Sequence, residues 1–159
     1  MSSTPVDNGR LSSKQTMPSA IIVDDSPIMR TQIGKLLELA GFSVVAQAGN
    51  ADRLMELYEE HRPDLITLDI VMPGRDGATA AAELRARYPQ AIIVICTSLN
   101  TKDKIEICRR AGVKCYLLKP FNPDYAVSVF RRVLNYTREI PLPKFDDLPP
   151  AGGNAVPRR

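Results

Sequence analysis

The chain has a single histidine, His61, and only three cysteines among 159 residues. That inventory excludes a zinc site built from the usual nitrogen and sulfur ligands. His61 falls at a helix end, and ordinary exposure statistics make it a surface residue. Cys96, Cys108 and Cys115 form no Cys-x-x-Cys pair and are odd in number, so they read as reduced, packed thiols in a cytoplasmic protein. No apolar run approaches the roughly 18–20 residues of a transmembrane helix. The N-terminus also lacks the charged-then-apolar layout of a signal peptide, so no membrane partner is expected. A basic stripe is missing as well. The net charge is +3, but residues 19–136 hold 15 Lys and Arg against 14 Asp and Glu, and each end segment adds one positive charge. A nucleic-acid binder concentrates positive charge on its fold, so direct DNA binding is not expected.

What is present suits one soluble domain with a real core, at 44% apolar and 25% charged residues. Residues 1–18, rich in Ser, Thr and Pro, read as a flexible leader, and 137–159 as a Pro-rich tail, disordered or extended. Between them, apolar strands alternate with helical spacing. Ala20–Val23 is a strand, closed by Asp24, Asp25, Ser26 and Pro27. Ser26 or Asp25 before Pro27 signals a helix start. That helix turns Met29, Ile33, Leu36, Leu37 and Ala40 inward and stops at Gly41. Phe42–Ala46 makes a second strand, and Asn50 caps a second helix carrying Leu54, Leu57 and Tyr58. Leu65–Asp69 is the third strand, and Asp76 and Gly77 open an Ala-rich helix to about Arg87.

Ala91–Cys96, the most apolar strand, belongs near the sheet centre and ends at Thr97 and Ser98. Thr101 caps a fourth helix with Ile105, Cys108 and Ala111, stopped at Gly112. Lys114–Leu118 is the fifth strand, ending at Lys119, and a last helix runs from about Asn122 through Ala126, Phe130, Val133 and Leu134. Five strand–helix alternations predict an α/β fold, a doubly wound parallel sheet.

Strand C-termini in such a sheet share one edge, where ligands bind. Four of the five strands end there in a functional group: Asp24 with Asp25, Asp69, Thr97 and Lys119. Asp69 taken alone could simply open its loop or cap a turn. Three crowded carboxylates repel one another unless a cation sits among them, and an oxygen-only donor set suits a hard ion, Mg²⁺. A divalent ion with a lysine beyond it defines a slot for a phosphoryl group, which the carboxylate can attack in line. Lysine acts there as a compact point charge, and the Thr97 hydroxyl can donate to a phosphoryl oxygen.

Asp24-Asp25, Asp69 followed by Met72-Pro73 and Gly77, Thr97-Ser98 and Lys119-Pro120-Phe121 together resemble the receiver domain of two-component response regulators. Over about residues 19–136 the chain is similar to stand-alone chemotaxis receivers. The resemblance implies a flavodoxin-like (βα)5 fold with strand order 2-1-3-4-5. It implies Asp69 as phosphoacceptor, and Mg²⁺ held by Asp25, Asp69 and the Val71 carbonyl, with Asp24 acting through a water. Thr97 and Lys119 would bind the phosphoryl group, and Thr97 would couple to Tyr116 as a switch that reshapes helix 4, strand 5 and helix 5. A histidine kinase or phosphotransfer protein would be the donor, a cis Lys119–Pro120 bond is implied, and the protein would be a phosphoacceptor rather than an enzyme.

Val71 and Leu99, two residues beyond Asp69 and Thr97, are apolar and cannot orient a water, so slow self-hydrolysis of the aspartyl phosphate is expected. After the fifth helix about two dozen residues remain, too few for a helix-turn-helix output module. Output would then be contact with a downstream protein or onward transfer in a phosphorelay, with dimerisation of the phosphorylated form an open alternative. A Mg²⁺-dependent phosphohydrolase is the reading from another class, though Val71 stands where such enzymes commonly place a second acid. A receiver that binds partners without phosphorylation is a third.

Overall fold

The computed structural model describes residues 17–98, 102–113 and 115–134. Strands β1 (Ser19–Val23), β2 (Ser43–Ala48), β3 (Leu65–Leu68), β4 (Ile93–Thr97) and β5 (Cys115–Leu118) alternate with five helices. These are α1 (Pro27–Leu39), α2 (Leu54–His61), α3 (Gly77–Arg87), α4 (Lys102–Arg110) and α5 (Pro123–Leu134). All strands are parallel, in the order β2-β1-β3-β4-β5, so the doubly wound, flavodoxin-like arrangement holds.

Hydrophobic pattern explains the layering. β3 and β4 are buried at every position, as expected of inner strands covered on both faces. One face packs Ile33 and Leu37 of α1 and Ala126, Val129 and Phe130 of α5 against Ile22, Val94 and Cys96. The other packs α2, α3 and α4, through Leu57, Leu84 and Cys108 among others, against Ile21, Ile66 and Ile95. Fully burying each such Leu, Ile or Phe is worth about 1.5–3 kcal/mol. β2 is an edge strand with alternating exposure, and its pairing with β1 skips Val45, a bulge that interrupts the open edge.

Local signals mostly set the helix ends. Ser26 caps α1, its Oγ accepting from Met29 N at 3.2 Å with Pro27 in the first turn. Gly41 and Gly112 follow α1 and α4 with φ of 98° and 97°, the left-handed backbone that ends a helix. Asn122 Oδ1 accepts from Tyr125 N at 3.0 Å at the start of α5. Asn50 does not cap α2. Its Oδ1 accepts from Asp52 N, a local turn that buries Ala51 and delays the helix to Leu54, where Arg53 offers no side-chain cap. Phe42 lies outside β2, buried in the preceding turn with its N–H on Leu37 O, and β2 runs on to Ala48. β4 begins two residues later than expected, at Ile93. The expected leader (apart from Met17 and Pro18), the tail, the Thr101 cap, Leu99 and the Lys114 strand start lie outside the described residues. Among the described residues no helix is long and apolar enough to cross a membrane.

Candidate functional site

The main chain locks the strand ends together before any side chain acts. Just past the strands, Asp24 N–H donates to Ala48 O (3.0 Å), Asp69 N–H to Val23 O (2.9 Å) and Lys119 N–H to Thr97 O (2.8 Å). The ladder therefore extends to the functional residues themselves and holds them on rigid backbone at one edge. The Lys119–Pro120 bond is cis.

The side chains converge. Lys119 Nζ lies 2.6 Å from Asp24 Oδ2 and 3.0 Å from Asp69 Oδ2. Asp24 is fully buried and Asp69 is 5% exposed, whereas Asp25 faces solvent. One carboxylate oxygen from each of the three falls within 4.8 Å of the others. The other oxygens of Asp24 and Asp69 are also committed: Ser26 N–H donates to Asp24 Oδ1 and Val71 N–H to Asp69 Oδ1, each at 2.9 Å. Burial pushes the Asp69 carboxyl up, against the pull of the Val71 N–H and of Lys119. Burial also works against the Lys119 ammonium, but its two carboxylate partners prevail and raise it, so the lysine stays charged. The two directions have different causes: burial dominates at Asp69, and the paired carboxylates dominate at Lys119.

Thr97, the last residue of β4, is fully buried, and its Oγ1 has no hydrogen-bond partner among the described residues. Such a hydroxyl is costly in a folded core, and at the strand end it is free to donate to a group bound there. Tyr116, in register with Ile95, is half-buried against the cluster beneath α4. Val71 contributes its backbone N–H to the site while its side chain is 44% exposed. Asp24, Asp25, Asp69, Thr97 and Lys119 are thus gathered at one edge, with Val71 beside them and Tyr116 on β5, level with the residue two before Thr97. His61 ends α2, at the opposite edge of the sheet. The three cysteines are buried free thiols, with Cys108 and Cys115 each pushed up to about 12 by burial.

Two roles escaped the sequence reading, which named Gly77 only as a helix start and motif residue and Arg30 not at all. Gly77 sits where a Cβ would lie 2.6 Å from the Asp69 carbonyl oxygen and 2.7 Å from Ile70 Cα, so only glycine lets α3 start against the Asp69 backbone. A glycine in the first helical turn after a good cap, Asp76, was the available hint. Arg30 Nη1 donates to the Asp24 carbonyl at 2.6 Å across six residues, a spacing with no sequence signature.

The donor set fits a hard divalent cation such as Mg²⁺. It consists of carboxylate oxygens, close enough to share one ion, and among the described residues Lys119 is the cation paired with two of them, Asp24 and Asp69.

A family model described as the response regulator receiver domain matches residues 20–131. The chemotaxis protein CheY of Bacillus subtilis is 39% identical over 115 residues, covering 72% of this chain and 96% of that protein. Among solved structures, a LuxR-family two-component response regulator from an Aurantimonas species aligns with a TM-score of 0.68 at 30% identity, covering 75% of this chain and 86% of that one. A Vibrio cholerae chemotaxis protein, CheY4, aligns at 0.67 and 27% identity, covering 74% and 99%. With its strand order and its acid, threonine and lysine edge already in place, this chain belongs to the response regulator receiver domain family.

Proposed function

We propose that this chain is a cytoplasmic response regulator whose 19–136 receiver, between a 1–18 leader and a Pro-rich 137–159 segment, takes a phosphoryl group on Asp69. The observation that carries the reading is the Lys119 ammonium, 2.6 Å from Asp24 and 3.0 Å from Asp69, with the buried Thr97 hydroxyl, unpartnered among the described residues, ending the neighbouring strand. An ammonium on the acid and an uncommitted hydroxyl at the end of the neighbouring strand supply what phosphoryl oxygens require.

The donor is a phosphohistidine on a histidine kinase or phosphotransfer protein. One Asp69 carboxylate oxygen attacks phosphorus and forms a P–O bond as the P–N bond to the donor breaks. The imidazole leaves with the bonding pair and is protonated. Asp24, Asp25, Asp69 and the Val71 carbonyl would hold Mg²⁺, which when bound neutralises charge on the transferring group. Lys119 binds a phosphoryl oxygen and compensates the charge gained at Asp69. Val71 N–H fixes the rotation of the Asp69 carboxylate. Thr97 turns its hydroxyl to another phosphoryl oxygen, and Tyr116 moves toward the space it leaves, reshaping the surface of α4, β5 and α5 for a downstream protein. The chain catalyses only its own phosphorylation and slow dephosphorylation, and it binds neither DNA nor membrane directly.

Incubation with Mg²⁺ and acetyl phosphate followed by intact mass is the test. One stable phosphoryl addition, lost in Asp69→Asn and in EDTA, is the expected result. Continuous release of free phosphate in excess of protein supports a phosphohydrolase instead, and no addition overturns the proposal.

A further inference from the structure

Arg30 lies one turn into α1, half-buried, and has no ion pair among the described residues. Its Nη1 donates to the Asp24 backbone carbonyl at 2.6 Å, and its guanidinium lies alongside Gly49 just beyond β2, where a Cβ would stand 3.5 Å from Nη1. The Asp24 carbonyl needs that donor. β1 pairs with β2 only as far as Val23 with Ala48, so the next carbonyl has left the ladder. The Asp24–Asp25 peptide is planar, and holding its oxygen fixes the rotation on both sides of it. It therefore aims the Cα–Cβ bond of Asp25, an exposed residue. Asp24 needs no such help, since Ala48, Ser26 and Lys119 already tie it down.

We infer that Arg30 is a positioning residue for the cation site: its hydrogen bond to the Asp24 carbonyl sets the peptide that points Asp25 at the carboxylate cluster. The inference rests on the Mg²⁺-dependent reading given above. It separates cation binding from phosphoryl handling, because Arg30 touches neither Asp69 nor Lys119 in any described hydrogen bond. Partners that orient ligands commonly change metal affinity about ten- to a hundredfold when lost.

The test is a Mg²⁺ titration of the full chain, followed by amide NMR shifts, for the wild type, Arg30→Met, Arg30→Gln and Arg30→Lys. Arg30→Met keeps the alkyl stem and loses the donor, and Arg30→Gln is too short to reach. Both are expected to bind Mg²⁺ at least tenfold more weakly, while Arg30→Lys, which keeps a donor, recovers part of the loss. Half-saturating Mg²⁺ for phosphorylation by acetyl phosphate should rise in step, with the rate at saturating Mg²⁺ unchanged. Melting in EDTA identifies any variant that fails to fold, and the other donor-free variant then stands. Wild-type affinity in a folded Arg30→Met or Arg30→Gln, or a lower rate that saturating Mg²⁺ does not restore, overturns the inference and leaves the phosphoacceptor reading intact. Absence of Mg²⁺ binding by the wild type itself overturns both.

Discussion

Replacing Thr67 with valine exchanges a hydroxyl for a methyl group at a place that gives the hydroxyl nothing to bond. Thr67 is fully buried in β3, in register with Ile22 on one side and Val94 on the other, and its Oγ1 has no partner among the described residues. Valine has the same branched shape and suits a strand. An unsatisfied buried hydroxyl costs about 1–3 kcal/mol, which an apolar isostere removes. The added methyl, facing Ile22 and Val94, contributes roughly 0.8 kcal/mol more. Thr67→Val is therefore expected to stabilise the fold by about 1–2 kcal/mol, because the denatured chain is not fully solvated. In melting terms that is a rise on the order of 5 °C. Thr97→Val provides the internal comparison. Its hydroxyl is equally buried and equally unpartnered, so a similar rise is expected, yet phosphorylation should fall on the order of a hundredfold, the effect of deleting one donor to a developing anion. Urea and thermal unfolding in EDTA read the first quantity and acetyl phosphate labelling the second. Should Thr67→Val lower the melting temperature or leave it unmoved, the hydroxyl is satisfied after all and the reasoning from orphaned groups fails at both positions.

Gly77→Ala places a Cβ 2.6 Å from the Asp69 carbonyl oxygen, backbone against backbone, so α3 must shift or the Asp69 peptide must turn. A loss of about 1–3 kcal/mol of stability is expected from the overpacking, together with slower phosphorylation, checked by urea unfolding and labelling on one sample. Val71→Asn with Leu99→Glu adds polar groups two residues beyond Asp69 and Thr97 in the sequence. The aspartyl phosphate should then decay roughly tenfold faster, and an unchanged decay rate after removal of excess donor refutes it.

The candidate site was legible because its chemistry sits at strand ends, and strand ends are marked by where apolar runs stop. Asp24, Asp69, Thr97 and Lys119 each close such a run, and parallel topology sends every closure to one edge. Helix starts at Ser26 and Asp76 were legible because a cap acts on its own next turn. Asn50 misled because a side chain that can cap a helix can equally close a turn, and the burial of Ala51 decides between them.

By itself, then, the sequence determined the alternation of strands and helices, the apolar faces and the set of groups at the edge, all of which follow from short-range pattern. Only the tertiary structure decided that Lys119 bridges Asp24 and Asp69 across 95 and 50 residues, that Gly77 lies on the Asp69 backbone and that Arg30 holds the Asp24 carbonyl. It also decided that the hydroxyls of Thr67 and Thr97, alike in composition and burial, lie one in the apolar core and one at the reactive edge. Those outcomes depend on which backbones are brought within hydrogen-bond reach, and that distance is set by packing rather than by any local run of residues.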